Sequence, residues 1–188
     1  ITPRVIASAP KLEVVSRHGV GYDNVDIESL TVRGIPLALA VGSNAVSVAE
    51  QTMHLILTLT KQGFLYHRAV QDGKFDFRQR PSSSNLEGKS ILIIGFGRTG
   101  SRVAARAAAF DMDLYAIDPY IDPDIIRRAG GTAITDLRAT LPQMDVVTIH
   151  CPRTPETLGL IGRRELDAMK TSAILINTAR GGIVNETV

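Results

Sequence analysis

Along this chain, short runs of apolar and β-branched residues alternate with stretches of helical periodicity. The strand-like runs are "LEVVSRHG", "IPLALA", "ILIIG" (91–95), "LYAID" (114–118), "VVTIH" (146–150) and "AILINTA" (173–179). Between the first two lie the loop "VGYDN" and a helix that Asp26 is placed to cap and Gly34 to end. A long, mostly apolar helix is predicted from Ala45 to about Phe64, with Asn44 as its N-cap. The polar stretch "GKFDFRQRPSSSNLEGKS" that follows, with Pro81 and three serines, reads as loop or hinge. Further helices are expected from about Thr99 to Phe110, near 122–129, near 135–141 and near 163–169.

Strand–helix alternation of this kind predicts an α/β fold, a doubly wound parallel sheet with crossover helices. Residues 65–188 carry four βα units, the beginning of a six-stranded dinucleotide-binding (Rossmann) sheet. Residues 1–44 hold too few elements to stand alone and read as part of a smaller domain. The 45–64 helix between the two reads as an interdomain connector.

Composition changes this picture little. Of 188 residues, 44% are hydrophobic and 21% charged, and the formal net charge is +2, so neither disorder nor a nucleic-acid or membrane partner is suggested. No apolar run approaches the ~20 residues that span a bilayer, and the first ten residues lack signal-peptide character. The single cysteine, Cys151, excludes an internal disulfide. The expected location is the cytoplasm.

In open α/β sheets ligands bind beyond the carboxyl ends of the strands, so the residues after each strand are the candidate chemistry. After the first comes Gly95-Phe96-Gly97-Arg98-Thr99-Gly100, a G-x-G-x-x-G between a strand and a helix. Its glycines allow a tight turn, backbone approach to a pyrophosphate, and close helix–strand packing, and the helix N-terminus favours the phosphates. After the second comes Asp118, 18 residues beyond Gly100, an acid suited to an adenosine ribose and hostile to a 2′-phosphate. NAD is therefore expected over NADP, although an Asp-Pro turn would also explain the residue. After the third, "HCPRTPET" forms a loop stiffened by Pro152 and Pro155, with Cys151, Pro152 and Thr157 as candidate walls of the adenine site. Cys151 reads as a small apolar wall residue rather than a redox group, and His150 as a structural histidine. After the fourth, Thr178, Ala179 and Arg180 precede two glycines, which places a cation at the nicotinamide end of the cofactor.

These residues resemble a known family. "GVGYDNVDIE", "GSNAVSVAE", "GFGRTG" followed by "IDPY", "HCPRTPET" and "INTARGGIVNE" occur in the order found in the D-isomer-specific 2-hydroxyacid dehydrogenases, and look most like the phosphoglycerate dehydrogenase and hydroxypyruvate reductase branch. The resemblance implies an oxidoreductase that passes hydride between NAD and C2 of a small D-2-hydroxy or 2-oxo acid. It implies Arg180 as the group that holds and polarises the 2-oxo acid, and the backbone of Gly19, Val20 and Gly21 as the cradle of its carboxylate. Asn44 matches an asparagine that touches substrate in formate-dehydrogenase relatives. A homodimer is also implied, with residues 1–44 as part of a smaller, flavodoxin-like substrate-binding domain.

In the family, a catalytic histidine and the glutamate that orients it follow the "ARGG" motif, and none of His18, His54, His67 or His150 stands at that place. The chain is thus expected to be the middle of a dehydrogenase, lacking both ends and inactive alone. Two departures are Thr99, where isoleucine is common, and Asp111, where a glycine usually ends the helix. A second class of function is an NAD-sensing, non-catalytic module like the family's corepressor relatives. A third, an adenosylhomocysteine hydrolase relative, is disfavoured by "DNVD" and "ARGG".

Overall fold

Strand β3 (Ser90–Ile94) shows why the main sheet is covered on both sides: all four of its isoleucines and leucines are buried, and alternate ones face opposite cores. Ile91 and Ile93 pack with Ala49, Met53, Ile56, Val103 and Ala107, while Leu92 and Ile94 pack with Leu141, Met144, Ile161 and Ile183. These observations come from a computed structural model that describes residues 1–79 and 83–188. Arg80, Pro81 and Ser82, in the expected hinge, lie outside the described residues.

Contacts divide the chain into two units, Ile1–Ala45 and Val46–Val188. The second is a five-stranded parallel sheet. Its strands are β3, β4 (Asp113–Ile117), β5 (Thr132–Ala133), β6 (Val146–Ile149) and β7 (Ile174–Asn177), in the spatial order β5-β4-β3-β6-β7. Counted within the unit this is 3-2-1-4-5, the order of the first five strands of a Rossmann sheet. The order reverses between β3 and β6, whose register pairs Ile94 with Ile149. Crossovers are α5 (Gly100–Ala108), α6 (Pro123–Arg128), α7 (Leu137–Thr140) with a 3-10 turn at Leu141–Gln143, and α8 (Arg163–Ala168). Helix α5 brings Val103, Ala104 and Ala107 onto the sheet, fully buried, and its alanines keep it close.

The predicted 45–64 helix is two helices. Helix α3 (Ala45–Thr60) buries Ala49, Met53 and Ile56, one stripe at helical spacing, and groups with the second unit from Val46 onward. Beyond Thr60 the next apolar position at that spacing, Phe64, is 75% exposed, so the buried stripe ends. The chain turns through Gln62 in the left-handed region (φ 52°) and restarts as α4 (Gly63–Gln71). A 3-10 turn at Phe75–Gln79 replaces part of the expected hinge, with Phe77 edge-on to Tyr66 and Arg78 over Phe75. Asp111 takes the conformation that the absent glycine would favour, φ 55°. Its carbonyl accepts from Gly88 N at 2.8 Å.

The first unit holds α1 (Pro3–Ala7), β1 (Val15–Arg17), α2 (Ile27–Val32) and β2 (Leu37–Leu39), with β1 and β2 parallel. Its core is Ile6, Val15, Val25, Leu30 and Ile35. Asp26 caps α2, accepting from Ser29 N at 2.8 Å, and Gly34 ends it at φ 65°. Helix α1, absent from the sequence reading, is capped by Thr2 with proline in its first turn, and Arg33 binds the carbonyls of Ile6, Ala9 and Pro10 at its end. Asn44 directly precedes α3. Among the described residues no helix is long and apolar enough to cross a membrane.

At the amino end of the large sheet, Asp145 ties three segments together. Its carboxylate accepts from Lys170 Nζ at 3.0 Å and Ser90 N at 3.0 Å, with Lys89 Nζ at 3.8 Å. Burial pushes its pKa up, but the Lys170 and Ser90 hydrogen bonds outweigh burial and hold it below 3.8. A depressed carboxylate pKa contributes stability above its unfolded value, lost as the pH falls through the folded value. Asp145→Asn is expected to lower unfolding free energy by about 1–2 kcal/mol at neutral pH, and the gap from wild type should narrow below pH 3.8. Urea unfolding of the full-length protein at both pH values checks this, and equal stability at neutral pH would refute it.

Candidate cofactor site

The site is built where the strand order reverses, and three glycines set its shape. Gly95 ends β3 at φ 93°, and a Cβ there would lie 2.7 Å from Cys151 N and 2.8 Å from the His150 carbonyl carbon. Only a bare backbone lets the β3 and β6 exits come this close. Gly100, in the first turn of α5, would put a Cβ 2.0 Å from Gly95 O. Gly97 differs: nothing lies within 4 Å of its Cβ position. The fold requires glycine at 95 and 100, whereas at 97 the absent side chain leaves room for a ligand.

Asp118 follows β4 and closes the loop from the other side. One carboxylate oxygen accepts from Phe96 N at 2.8 Å, inside the glycine loop, and the other from Tyr120 N at 2.9 Å. The Asp-Pro turn is therefore real, and the same side chain also clamps the glycine loop. An ionised carboxylate has about four acceptor positions, so two protein bonds leave capacity for a ligand. The N-cap residue of α5, Thr99, makes no side-chain cap bond, and the first amides of the helix remain for an anion or water.

Between these exits lies a cavity of about 690 Å³, the size of small-molecule sites. Gly95, Gly97 and Asp118 form one end. Pro119, Tyr120, Ile121, Ile126, Ile134 and Leu137 form one wall, and His150, Cys151, Pro152, Thr157 and Leu160 the other. The lining is mostly apolar apart from Asp118, Tyr120, Arg127, His150, Glu156 and the threonines. Ile134 and Leu137 carry no signal in the sequence, since a two-residue strand and one helical turn leave no periodicity, and Leu160 lies in an irregular turn.

Within the "HCPRTPET" loop, Thr157 Oγ1 donates to Pro152 O at 2.7 Å and accepts from Thr154 N at 2.8 Å, so its hydroxyl holds the loop's shape. Burial lowers the pKa of His150 to about 4, so the ring is neutral at pH 7. Its Nε2 lies 2.9 Å from Thr148 Oγ1, and its Nδ1 is buried without a partner. Burial raises the Cys151 thiol pKa, in keeping with a wall residue.

Arg98, Thr99, Gly100, Thr178, Ala179 and Arg180 do not line this cavity. The last three follow β7, where Asn177 closes the turn, accepting from Ala179 N at 3.0 Å and donating to Arg180 O at 2.8 Å. Half-buried Arg180 donates through Nη1 to Ala179 O at 2.7 Å. Thr178 Oγ1 lies 3.0 Å from Thr52 Oγ1 on α3. In the first unit, Gly19 follows β1 at φ 127° with its carbonyl accepting from Ala40 N at 3.1 Å, and Val20 and Gly21 are half-buried.

Residues 53–188 match the family described as "D-isomer specific 2-hydroxyacid dehydrogenase, NAD binding domain". The chain belongs to this family. A D-3-phosphoglycerate dehydrogenase from Archaeoglobus fulgidus is 39% identical over 186 residues, covering 99% of this chain and 35% of the relative. The chain thus spans about a third of the curated relatives it matches. Among solved structures, a Granulicella m. formate dehydrogenase superposes with TM-score 0.91 at 30% identity, over 100% of this chain and 50% of that one. The NAD-dependent formate dehydrogenase of Staphylococcus aureus, in complex with NAD, gives 0.86 at 35% identity, over 100% and 56%.

NAD is the cofactor of this 2-hydroxyacid dehydrogenase domain, and the residues present fit it: an open Gly97, an α5 terminus without a side-chain cap, and an acid with acceptor capacity left. The glycines give a sharp contrast to test. Gly97→Ala should melt within about 2 °C of wild type, since its Cβ meets nothing, yet bind NADH at least about tenfold more weakly. Gly100→Ala should lose stability outright, because its Cβ overlaps backbone. Thermal melts and NADH titrations of the two full-length variants check this. Equal melting losses, or undiminished NADH binding by Gly97→Ala, would refute it.

Proposed function

We propose that the full-length protein is an NAD-dependent oxidoreductase acting at C2 of a small D-2-hydroxy or 2-oxo acid of the 3-phosphoglycerate or hydroxypyruvate type. The observation that carries this reading is a guanidinium, Arg180, held at the exit of β7 in a sheet whose β3 and β4 exits are shaped for a dinucleotide. Support also comes from the phosphoglycerate dehydrogenases among the relatives. The assembly that goes with this reading is a homodimer, on the family resemblance, and its expected location is the cytoplasm.

NAD, when bound, supplies or accepts the hydride. The chain's own residues do the rest. Backbone amides of the glycine loop and of the α5 terminus, with Arg98, hold the pyrophosphate. Asp118 takes the ribose hydroxyls, and Ile121, Ile134, Leu137, Cys151, Pro152 and Leu160 exclude water from the adenine. Thr178 and Ala179 border the nicotinamide end. Arg180 binds the 2-oxo acid and polarises its carbonyl, a role for a planar, permanently charged donor fork. Gly19, Val20 and Gly21 are assigned to the substrate carboxylate, with Asn44 beside it, on the family resemblance. His150 is not the proton donor in this reading, because burial keeps it neutral and Thr148 occupies its Nε2.

The test is NADH oxidation by the full-length protein with hydroxypyruvate, its 3-phosphate and other 2-oxo acids. Turnover with at least one is expected. NADH binding without turnover of any would favour the non-catalytic NAD-sensing module instead. Arg180→Lys keeps the charge but loses the fork, and should lower turnover at least about tenfold, about 1.4 kcal/mol, while NADH affinity changes by less than about threefold. Wild-type turnover in that variant would remove Arg180 from the mechanism.

A further inference from the structure

Thr52 is a fully buried polar residue in the middle of α3, just beyond the "GSNAVSVAE" stretch and far in sequence from the strand exits. A hydroxyl carries one proton and can accept twice. The Thr52 proton is committed: Oγ1 donates to Val48 O at 2.8 Å, four residues back along the helix. Either hydroxyl could donate across the 3.0 Å contact with Thr178 Oγ1; with the Thr52 proton on Val48 O, the donor there is Thr178. That fixes the rotamer of Thr178 and spends its proton, leaving its remaining lone pairs as an acceptor-only group.

The location gives this consequence. Thr178 is the first residue after β7, whose last residue, Asn177, is in register with Ile149 of β6. Asp118, at the β4 exit, lies three strands away across the order β4-β3-β6-β7, roughly 14 Å at ordinary strand spacing. A dinucleotide with its adenosine ribose at Asp118 and its phosphates at the β3 exit carries its other half toward β7. Immediately beyond, Asn177 pins Ala179 and Arg180. An acceptor-only oxygen held there suits an N–H donor, and the amide of a nicotinamide is such a group.

We propose that Thr52 is a positioning residue for the nicotinamide half of the cofactor, orienting Thr178 so that its hydroxyl oxygen presents lone pairs at the β7 exit. The inference rests on the reading that the nicotinamide end lies at that exit.

The test compares two ligands on the full-length protein: NADH, and ADP-ribose, which lacks the nicotinamide. Thr52→Val preserves shape but removes the acceptor. It should weaken NADH about tenfold and leave ADP-ribose within about twofold, which also serves as the check that the fold is intact. Thr52→Ser restores the hydroxyl and should bring NADH affinity back to within about threefold of wild type. Undiminished NADH binding by Thr52→Val, parallel loss of both ligands, or failure of serine to rescue would overturn the proposal. If Thr52→Val does not fold, Thr178→Val removes the same contact from its half-buried side and carries the same expected and overturning results. Neither titration needs turnover, so a protein inert toward every 2-oxo acid would defeat the proposed activity and leave this test readable.

Discussion

The structure depends on one steric constraint, the contact of bare backbone between the exits of β3 and β6. At Gly95 a single added carbon would sit 2.7 Å from Cys151 N, and at Gly100 another would sit 2.0 Å from Gly95 O. With both glycines present, the first turn of α5 sits directly on the end of β3, and the loop after β6 folds against the loop after β3. The crevice is what remains between these exits. A packed interior cannot absorb an extra methyl at such points without moving strands, so cofactor site and fold share their most demanding positions.

Asp118 extends this coupling to a third strand. Its bonds to Phe96 N and Tyr120 N fix the glycine loop and the β4 exit relative to each other before any ligand arrives. A site organised in advance loses less ordering entropy on binding. Thr157 in the loop after β6, Asn177 at the β7 exit and Thr52 on α3 act in the same way, each spending hydroxyl or amide groups on backbone or a neighbour. At the opposite end of the sheet, Asp145 joins Lys170 and Ser90. Polar side chains thus tie the strands together at both ends, and the sheet between them is almost wholly aliphatic.

Most of this architecture was legible because its signals are local. Aliphatic runs such as "ILII" announce buried parallel strands, glycine spacing announces the phosphate turn, and Asp26 announces a cap. Elements that depend on tertiary context were not. Two-residue β5 exists because it pairs with Tyr115 and Ala116 of β4, and nothing in Thr132–Ala133 alone says so. The α3–α4 break falls where the buried stripe ends, although "TLTKQGF" contains no proline to mark it. Helix α1 did carry a signal, Thr2 followed by Pro3, which lay too close to the chain start to be weighed against a periodic pattern. Among site residues, Asp118 lines the crevice after β4, where its place in the chain put it, but its clamp on Phe96 is a contact across 22 residues. Thr52 and Thr178 are 126 residues apart, and no spacing rule connects them.

The central claim is that the crevice at the strand exits holds NAD through Asp118's remaining acceptor positions. The most direct measurement is a calorimetric titration of the full-length protein with NADH and, separately, NADPH. A hydrogen bond to a charged group contributes about 1.5–3 kcal/mol, and a 2′-phosphate would replace attraction by repulsion. NADH should therefore bind at least about tenfold more tightly. Equal affinity for the two cofactors would contradict the account.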